Sequence, residues 1–220
     1  MSPARTLPTV VVLAAGAGRR FAGMTPKLAS PLGRASVLAH TLEAVLGSGL
    51  PLVVVTVAPL VGLVREVVAS RDIVLLPPVG SASREPLGAG YSIAAGVTAR
   101  AQACGWLVLP GDMPRVRPQT LQLMARAVGQ GAAPIACAQH LGRAGHPIGL
   151  AAEMYNELSR LSGDQGLRRL LARYPSFPVE TGDPGVLIDI DTREDLERLI
   201  AAEPAFSVRQ PVPLGQVDQA

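Results

Sequence analysis

The sequence predicts an α/β domain with a mostly parallel sheet and a small antiparallel addition. Three observations carry this. Short apolar, β-branched runs alternate with segments of helical period along most of the 220 residues. Two strand-like runs near 135–150 are separated only by a turn-like segment, as in a hairpin. The composition, 48% hydrophobic and 17% charged, is too apolar for disorder, and the length suits one domain or two small ones.

Thr9–Leu13 reads as the first buried strand. Ser36–Leu46 carries Val37, Leu38, Leu42, Val45 and Leu46 at helical spacing and is closed by Gly47 and Gly49. Leu52–Val57 and Ile73–Leu76 read as further strands, with a helix over Val61–Ala69 between them. Gly80–Gly90 has no period and reads as a loop, after which Ser92 is placed to cap a helix running to about Ala103. Trp106–Leu109 is the fourth strand, and Pro118 opens a helix through Ala127. Pro134–Ala138 and His146–Leu150 form the hairpin, with a turn over Leu141–Gly145. Ala151–Leu161 and Leu167–Arg173 read as helices, Val186–Ile190 as a last strand and Thr192–Ala202 as a last helix. From Pro204 the chain reads as a frayed tail, leaving residues 1–203 as the domain.

The same text excludes several classes. The longest apolar stretch, Leu50–Val64, is interrupted by Pro51, Thr56, Pro59 and Gly62, so no spanning helix is expected. The first eight residues, with Pro3 and Pro8, lack the apolar region of a secretory signal, which predicts the cytoplasm. Cys104 and Cys137 have no C-x-x-C partner, so neither a zinc site nor a disulfide framework is expected. The net charge is +3, yet the 19 Arg are scattered and only seven aromatic side chains (three Phe, three Tyr, one Trp) could stack on bases. That argues against nucleic acid and for a small anionic substrate. Lys27 is the sole lysine.

The first strand runs into Leu13-Ala14-Ala15-Gly16-Ala17-Gly18-Arg19-Arg20-Phe21. Small residues after a strand let backbone amides approach an anion. A dinucleotide fingerprint fails because Phe21 stands where a third glycine belongs, and a Walker loop fails because Lys27 lacks its Gly and Ser/Thr neighbours. What remains is a small-residue loop, an Arg pair and the sole Lys a short way downstream, which reads as a phosphate-binding segment.

The string L-A-A-G-x-G-x-R-F followed by P-K-L resembles the signature of nucleotidyltransferases with a MobA-like, GT-A-type fold. Gly111-Asp112-Met113-Pro114, Gly145-His146-Pro147, Gly163-Asp164-Gln165-Gly166-Leu167-Arg168 and Asp189-Ile190-Asp191-Thr192 follow in that family's order, over about Val10–Leu199. The resemblance is to the molybdenum cofactor cytidylyltransferase branch. It implies a three-layer α/β/α sandwich with a Rossmann-like sheet. It further implies transfer of CMP from CTP to a molybdopterin-type phosphate, with release of pyrophosphate and a molybdoenzyme as client.

Such chemistry brings anions together and needs fixed positive charge and a metal. On the resemblance, Leu13, Ala14, Ala15, Gly16, Ala17, Gly18, Gly90 and Ser92 border the nucleotide. Lys27 places a point charge on the phosphates and Arg19 a planar fork of donors. Asp112, leaving the C-terminal end of a strand, holds Mg²⁺, with Asp189 as a second acidic group. Asp191 and Thr192, with Asp195 returning a bond, read as a helix cap. His146, Asp164 and Arg168 are candidates for the acceptor. Pro86-Leu87-Gly88-Ala89-Gly90 resembles the guanylyltransferase branch's P-L-A-G, and Met113 stands where the cytidylyl branch more often has Gln, so GTP, or a sugar or polyol phosphate as acceptor, stays open. A non-catalytic protein that binds a nucleotide or cofactor and hands it on is the rival from another class.

Overall fold

The computed structural model describes residues 7–16, 18, 20–21, 25–77, 88–131 and 133–202. The tail predicted from Pro204 lies outside them. Strand β1 (Thr9–Ala14) leads to a small hairpin, β2 (Pro31–Leu32) and β3 (Ala35–Ser36), and then helix α1 (Val37–Gly47). There follow β4 (Leu52–Thr56), α2 (Ala58–Arg65), β5 (Ile73–Leu75), α3 (Gly88–Ala99), β6 (Gly105–Pro110) and α4 (Pro118–Gly129). The second half adds β7 (Ile135–His140), β8 (Arg143–Ala151), α5 (Tyr155–Leu158), α6 (Gly166–Arg173), β9 (Ser176–Glu180) and α7 (Arg193–Ala202). Seven strands make one sheet in the order β5-β4-β1-β6-β8-β7-β9, and only β8 runs against its neighbours.

The sheet is covered on both faces, which is the expected three-layer α/β/α sandwich. Alternation along β1 sorts the two cores. Val10, Val12 and Ala14 turn to the face covered by α1, α2, α4 and α7, while Val11 turns to α3, α5 and α6. Val10, Val11 and Val12 are fully buried, and each is worth about 1.5–3 kcal/mol of transfer free energy. Helix α3 lies so close to the sheet that a Cβ at Gly96 would run into Val11 and come within 3.0 Å of Val55. Ser36 caps α1, its hydroxyl accepting from the Ala39 amide at 3.2 Å. Among the described residues no helix is long and apolar enough to cross a membrane.

Several elements differ from the sequence reading, each for a local reason. Helix α3 begins at Gly88, so Ser92 lies inside it, buried, and does not cap it. Helix α2 starts earlier than predicted because Pro59 is tolerated in its first turn. The helix expected over Ala151–Leu161 shortens to α5, since Ala151 stays in β8 and a single 3-10 turn, Ala152–Met154, intervenes. The β7–β8 turn closes on Leu141 and Gly142 alone, both at positive φ. Strand β9 was hidden by its Pro178, which an edge strand tolerates. Val186–Ile190 is no strand. Asp183 accepts from the Gly185 amide at 2.9 Å and winds Pro184–Leu187 into a 3-10 turn.

Candidate active site

Strands β1 and β6 end side by side, with Leu13 paired to Pro110. Beyond β1 the chain passes through Ala15 and Gly16. An added Cβ at Gly16 would meet nothing within 4 Å among the described residues, so the loop backbone is not packed against them there. The loop then folds back, and a Cβ at Gly18 would lie 3.4 Å from Lys27 Cβ. Ala17 and Arg19 lie outside the described residues.

Lys27 opens a 3-10 turn, Lys27–Ala29, pinned by the buried Leu28. Its own carbonyl accepts from the Ser30 amide at 3.1 Å. Only 13% of its side chain is accessible. The reason is its partners. Its ammonium lies 2.5 Å from Asp112 Oδ2 and 3.3 Å from Asp191 Oδ1. Asp191 Oδ2 in turn pairs with Arg20 at 2.8 Å.

Asp112 follows Gly111 at the end of β6, where open α/β sheets gather ligands. The Gly111 amide donates to Leu13 at 2.9 Å, and a Cβ at Gly111 would be 3.0 Å from both Leu13 O and Leu38 Cδ1. That close approach fixes Asp112 beside the loop. Its Oδ1 is buried and has no hydrogen-bond partner among the described residues.

The late acidic segment reaches the same place by crossing the ends of β6 and β8. A Cβ at Gly185 would strike the Arg115 carbonyl, and one at Gly145 would strike that of Val186. Beyond this seam the Ile190 amide donates to Asp112 O. Asp189 is exposed as a residue, with its carboxyl partly desolvated. Burial raises its carboxyl above the ordinary range, its own amide lowers it, Asp191 and Asp112 raise it, and Lys27 lowers it. His146, on β8, is held below the usual imidazole range by burial, against the opposing pull of Asp112 and Asp189.

Asp191 is not the expected cap. Asp195 accepts from the amides of Asp191 and Thr192 and from the Thr192 hydroxyl, and Thr192 Oγ1 accepts from Asp195 N. Thr192 and Asp195 thus form a complete capping box and leave the Asp191 carboxylate to Lys27 and Arg20. Arg20 is a site residue to which the sequence reading assigned no role. Its signal lay in the motif, because the Arg directly before Phe21 in L-A-A-G-x-G-x-R-F is Arg20.

The other predicted positions form a neighbouring group. Gly90 donates to Gly163 O at 2.9 Å, and a Cβ on Gly90 would lie 2.8 Å from that oxygen. Asp164 accepts from Ala89 N at 3.1 Å, so its carboxylate serves the N-terminus of α3. Arg168 is exposed on α6. Ser92 and Ala15 lie on the α3 side of the sheet, Ala15 packed against that core. Among the described residues no three His, Cys, Asp or Glu side chains form a ready metal cage. Hard oxygen donors with one orphaned buried oxygen nevertheless suit Mg²⁺, which takes one or two protein carboxylates and fills its shell with water and phosphate.

Comparison with known proteins bears on the family and the fold. The family model described as the MobA-like NTP transferase domain matches residues 10–177. The chain is 31% identical over 122 residues to the bifunctional protein GlmU of Paraburkholderia phytofirmans, 56% of this chain and 26% of that protein. It therefore spans about a quarter of the length of that curated relative. Rv0371c of Mycobacterium tuberculosis superposes with a TM-score of 0.71 at 29% identity, over 90% of this chain and 100% of that one. That protein has also been solved in complex with manganese, matching at 28% identity and a TM-score of 0.67 over 89% and 98% of the two chains. Molybdopterin-guanine dinucleotide biosynthesis protein A of Archaeoglobus fulgidus shares the fold, with a TM-score of 0.61 at 20% identity over 88% and 98%. A motif series that converges on one sheet edge, together with a family match over most of the described residues, has one consequence: the chain belongs to the MobA-like NTP transferase family.

Proposed function

We propose that this chain transfers a nucleoside monophosphate from an NTP to a phosphate-bearing acceptor, with CTP as donor and a molybdopterin-type phosphate as acceptor. The observation that carries the reading is the Lys27 ammonium held between Asp112 and Asp191 at the mouth of the small-residue loop. The acceptor phosphate oxygen attacks the α-phosphorus, the bond to the bridging α–β oxygen breaks, and pyrophosphate leaves with that electron pair. No general base is needed, because the acceptor oxygen is already anionic. The protein's work is positioning and charge neutralisation. Lys27 and Arg20 offer cations to the triphosphate, a point charge and a planar fork respectively. The loop from Leu13 to Gly18 offers backbone amides. Asp112, with Asp189, would hold Mg²⁺, which when bound offsets phosphate charge; the manganese complex of Rv0371c supports a divalent cation. In this reading Gly90 and Ser92 border the base, and His146, which feels the charge of Asp112 and Asp189, contacts the acceptor.

The CTP assignment rests on the sequence resemblance and on Ala15, which adds a methyl to the loop. Purified protein, Mg²⁺, a molybdopterin-type acceptor and each of the four NTPs, read by pyrophosphate release, test the reading. Release with CTP above the other three is expected. Release with none, despite nucleotide-dependent thermal stabilisation, would replace the enzyme by a binding protein.

A further inference from the structure

Resting on the nucleotidyltransferase reading, we infer that Lys27 is a resident counter-ion that exchanges with the divalent cation at Asp112. Three carboxylates, Asp112, Asp189 and Asp191, share this edge of the sheet with two described cations, Lys27 and Arg20. The ammonium takes only Oδ2 of Asp112 and leaves Oδ1 buried and without a partner among the described residues. A buried oxygen without a partner is costly, so the Lys27 pairing satisfies Asp112 only in part. It also sets a cation where a metal on that carboxylate would have to sit. An ammonium and a divalent ion on one carboxylate repel each other, so one yields.

Lys27 has somewhere to go. Asp191 Oδ1 is already 3.3 Å from it, so the ammonium can release Asp112 and keep a carboxylate partner. The loop at Gly18 lies alongside its side chain, so phosphates bound there would draw the ammonium the same way. The free protein therefore holds metal weakly at Asp112, and the lysine prevents an uncompensated acidic cluster until substrate arrives.

The test uses Mn²⁺ alone, titrated into the nucleotide-free full chain, with free metal read by electron paramagnetic resonance. Lys27→Met is expected to bind Mn²⁺ at least about tenfold tighter than wild type, the lower end of what one adjacent opposite charge does to a carboxylate's proton affinity. Lys27→Arg, which keeps the charge, is expected to match wild type. Lys27→Met combined with Asp112→Asn is expected to lose the gain. Circular dichroism checks folding, and Lys27→Gln carries the same expectation as Lys27→Met should that variant misfold. Equal or weaker Mn²⁺ binding in the folded neutral variants overturns the exchange, as does a gain that survives Asp112→Asn. The two readings fail separately. No gain, with wild-type turnover intact, removes only the exchange; a gain without turnover on any NTP removes only the enzyme.

Discussion

The Ile190 amide donates to the Asp112 carbonyl at 3.0 Å, tying the last acidic segment to the end of β6. The two residues are far apart in sequence, and the bond makes the site a product of the sheet's two halves. Asp189 and Asp191 flank the bonded residue on either side. One backbone contact thus delivers both carboxylates to the neighbourhood of Lys27, and a disturbance anywhere along the 184–190 crossing reaches the chemistry.

Lys27→Ala is expected to lower nucleotidyl transfer by about 100-fold or more, the scale of one lost transition-state charge contact. Steady-state pyrophosphate release measures it, with near-native circular dichroism as the control. Wild-type turnover in this variant would remove the lysine from the mechanism.

Asp112→Asn is expected to abolish Mg²⁺-supported turnover while metal-free nucleotide binding persists weakly. The amide keeps one oxygen and the shape but loses the charge a hard cation requires. Activity titrated against Mg²⁺ concentration decides this. An unchanged Mg²⁺ dependence would move the metal to Asp189.

Ala15→Gly is expected to raise GTP use relative to CTP. The chain resembles the cytidylyl branch; the guanylyl branch of that family typically has Gly where this chain has Ala15, and a purine needs the room. One methyl group is worth about 1–3 kcal/mol, roughly 10–200-fold in discrimination. The ratio of kcat/KM for the two nucleotides, in wild type and variant, is the measurement. An unchanged ratio would free Ala15 of any role in base choice.

Much of this was legible because local chemistry and global position agreed. β1, β4 and β6 are strands by composition and central by topology, and the Gly loop and Asp112 belong to their ends. What escaped the sequence was long-range. Asp191 reads as a cap because Thr192 and Asp195 beside it really are one, and only the crossing at Gly185 and Gly145 turns its carboxylate toward Lys27. β9 carries Pro178, and its strand character comes wholly from pairing with β7. Asp183 had no motif at all.

That residue carries a stability prediction. Asp183 is 2% exposed and accepts from Arg117 N, Thr120 Oγ1 and Gly185 N at 2.9, 2.6 and 2.9 Å. It joins the start of α4 to the turn that leads into the site. Asp183→Ala leaves three donors unpaired and is expected to cost about 3 kcal/mol or more. The urea midpoint tests it, and a loss below about 1 kcal/mol would show that water replaces the carboxylate.

His146 sets a pH dependence. Burial holds its folded pKa below the ordinary 6.5, against Asp112 and Asp189. Around and below pH 6.5 the unfolded chain then binds more protons than the folded one, so stability rises with pH through this window and falls on acidification. His146→Gln is expected to flatten the stability profile between about pH 5 and 7. Denaturant midpoints across that range are the measurement, and parallel profiles would contradict it.

The antiparallel strand has a consequence for synthesis. A nascent chain that has left the ribosome only as far as Gln130 already contains β1, β4, β5 and β6. Until Arg143–Ala151 emerge, the outer edge of β6 lacks its partner, and Trp106 and Val108 lie on an open border. Such edges recruit other strands. Translation of the stretch between α4 and β8 is therefore the interval in which the β6 edge stays unpaired, and β8 ends it by covering that edge from the opposite direction.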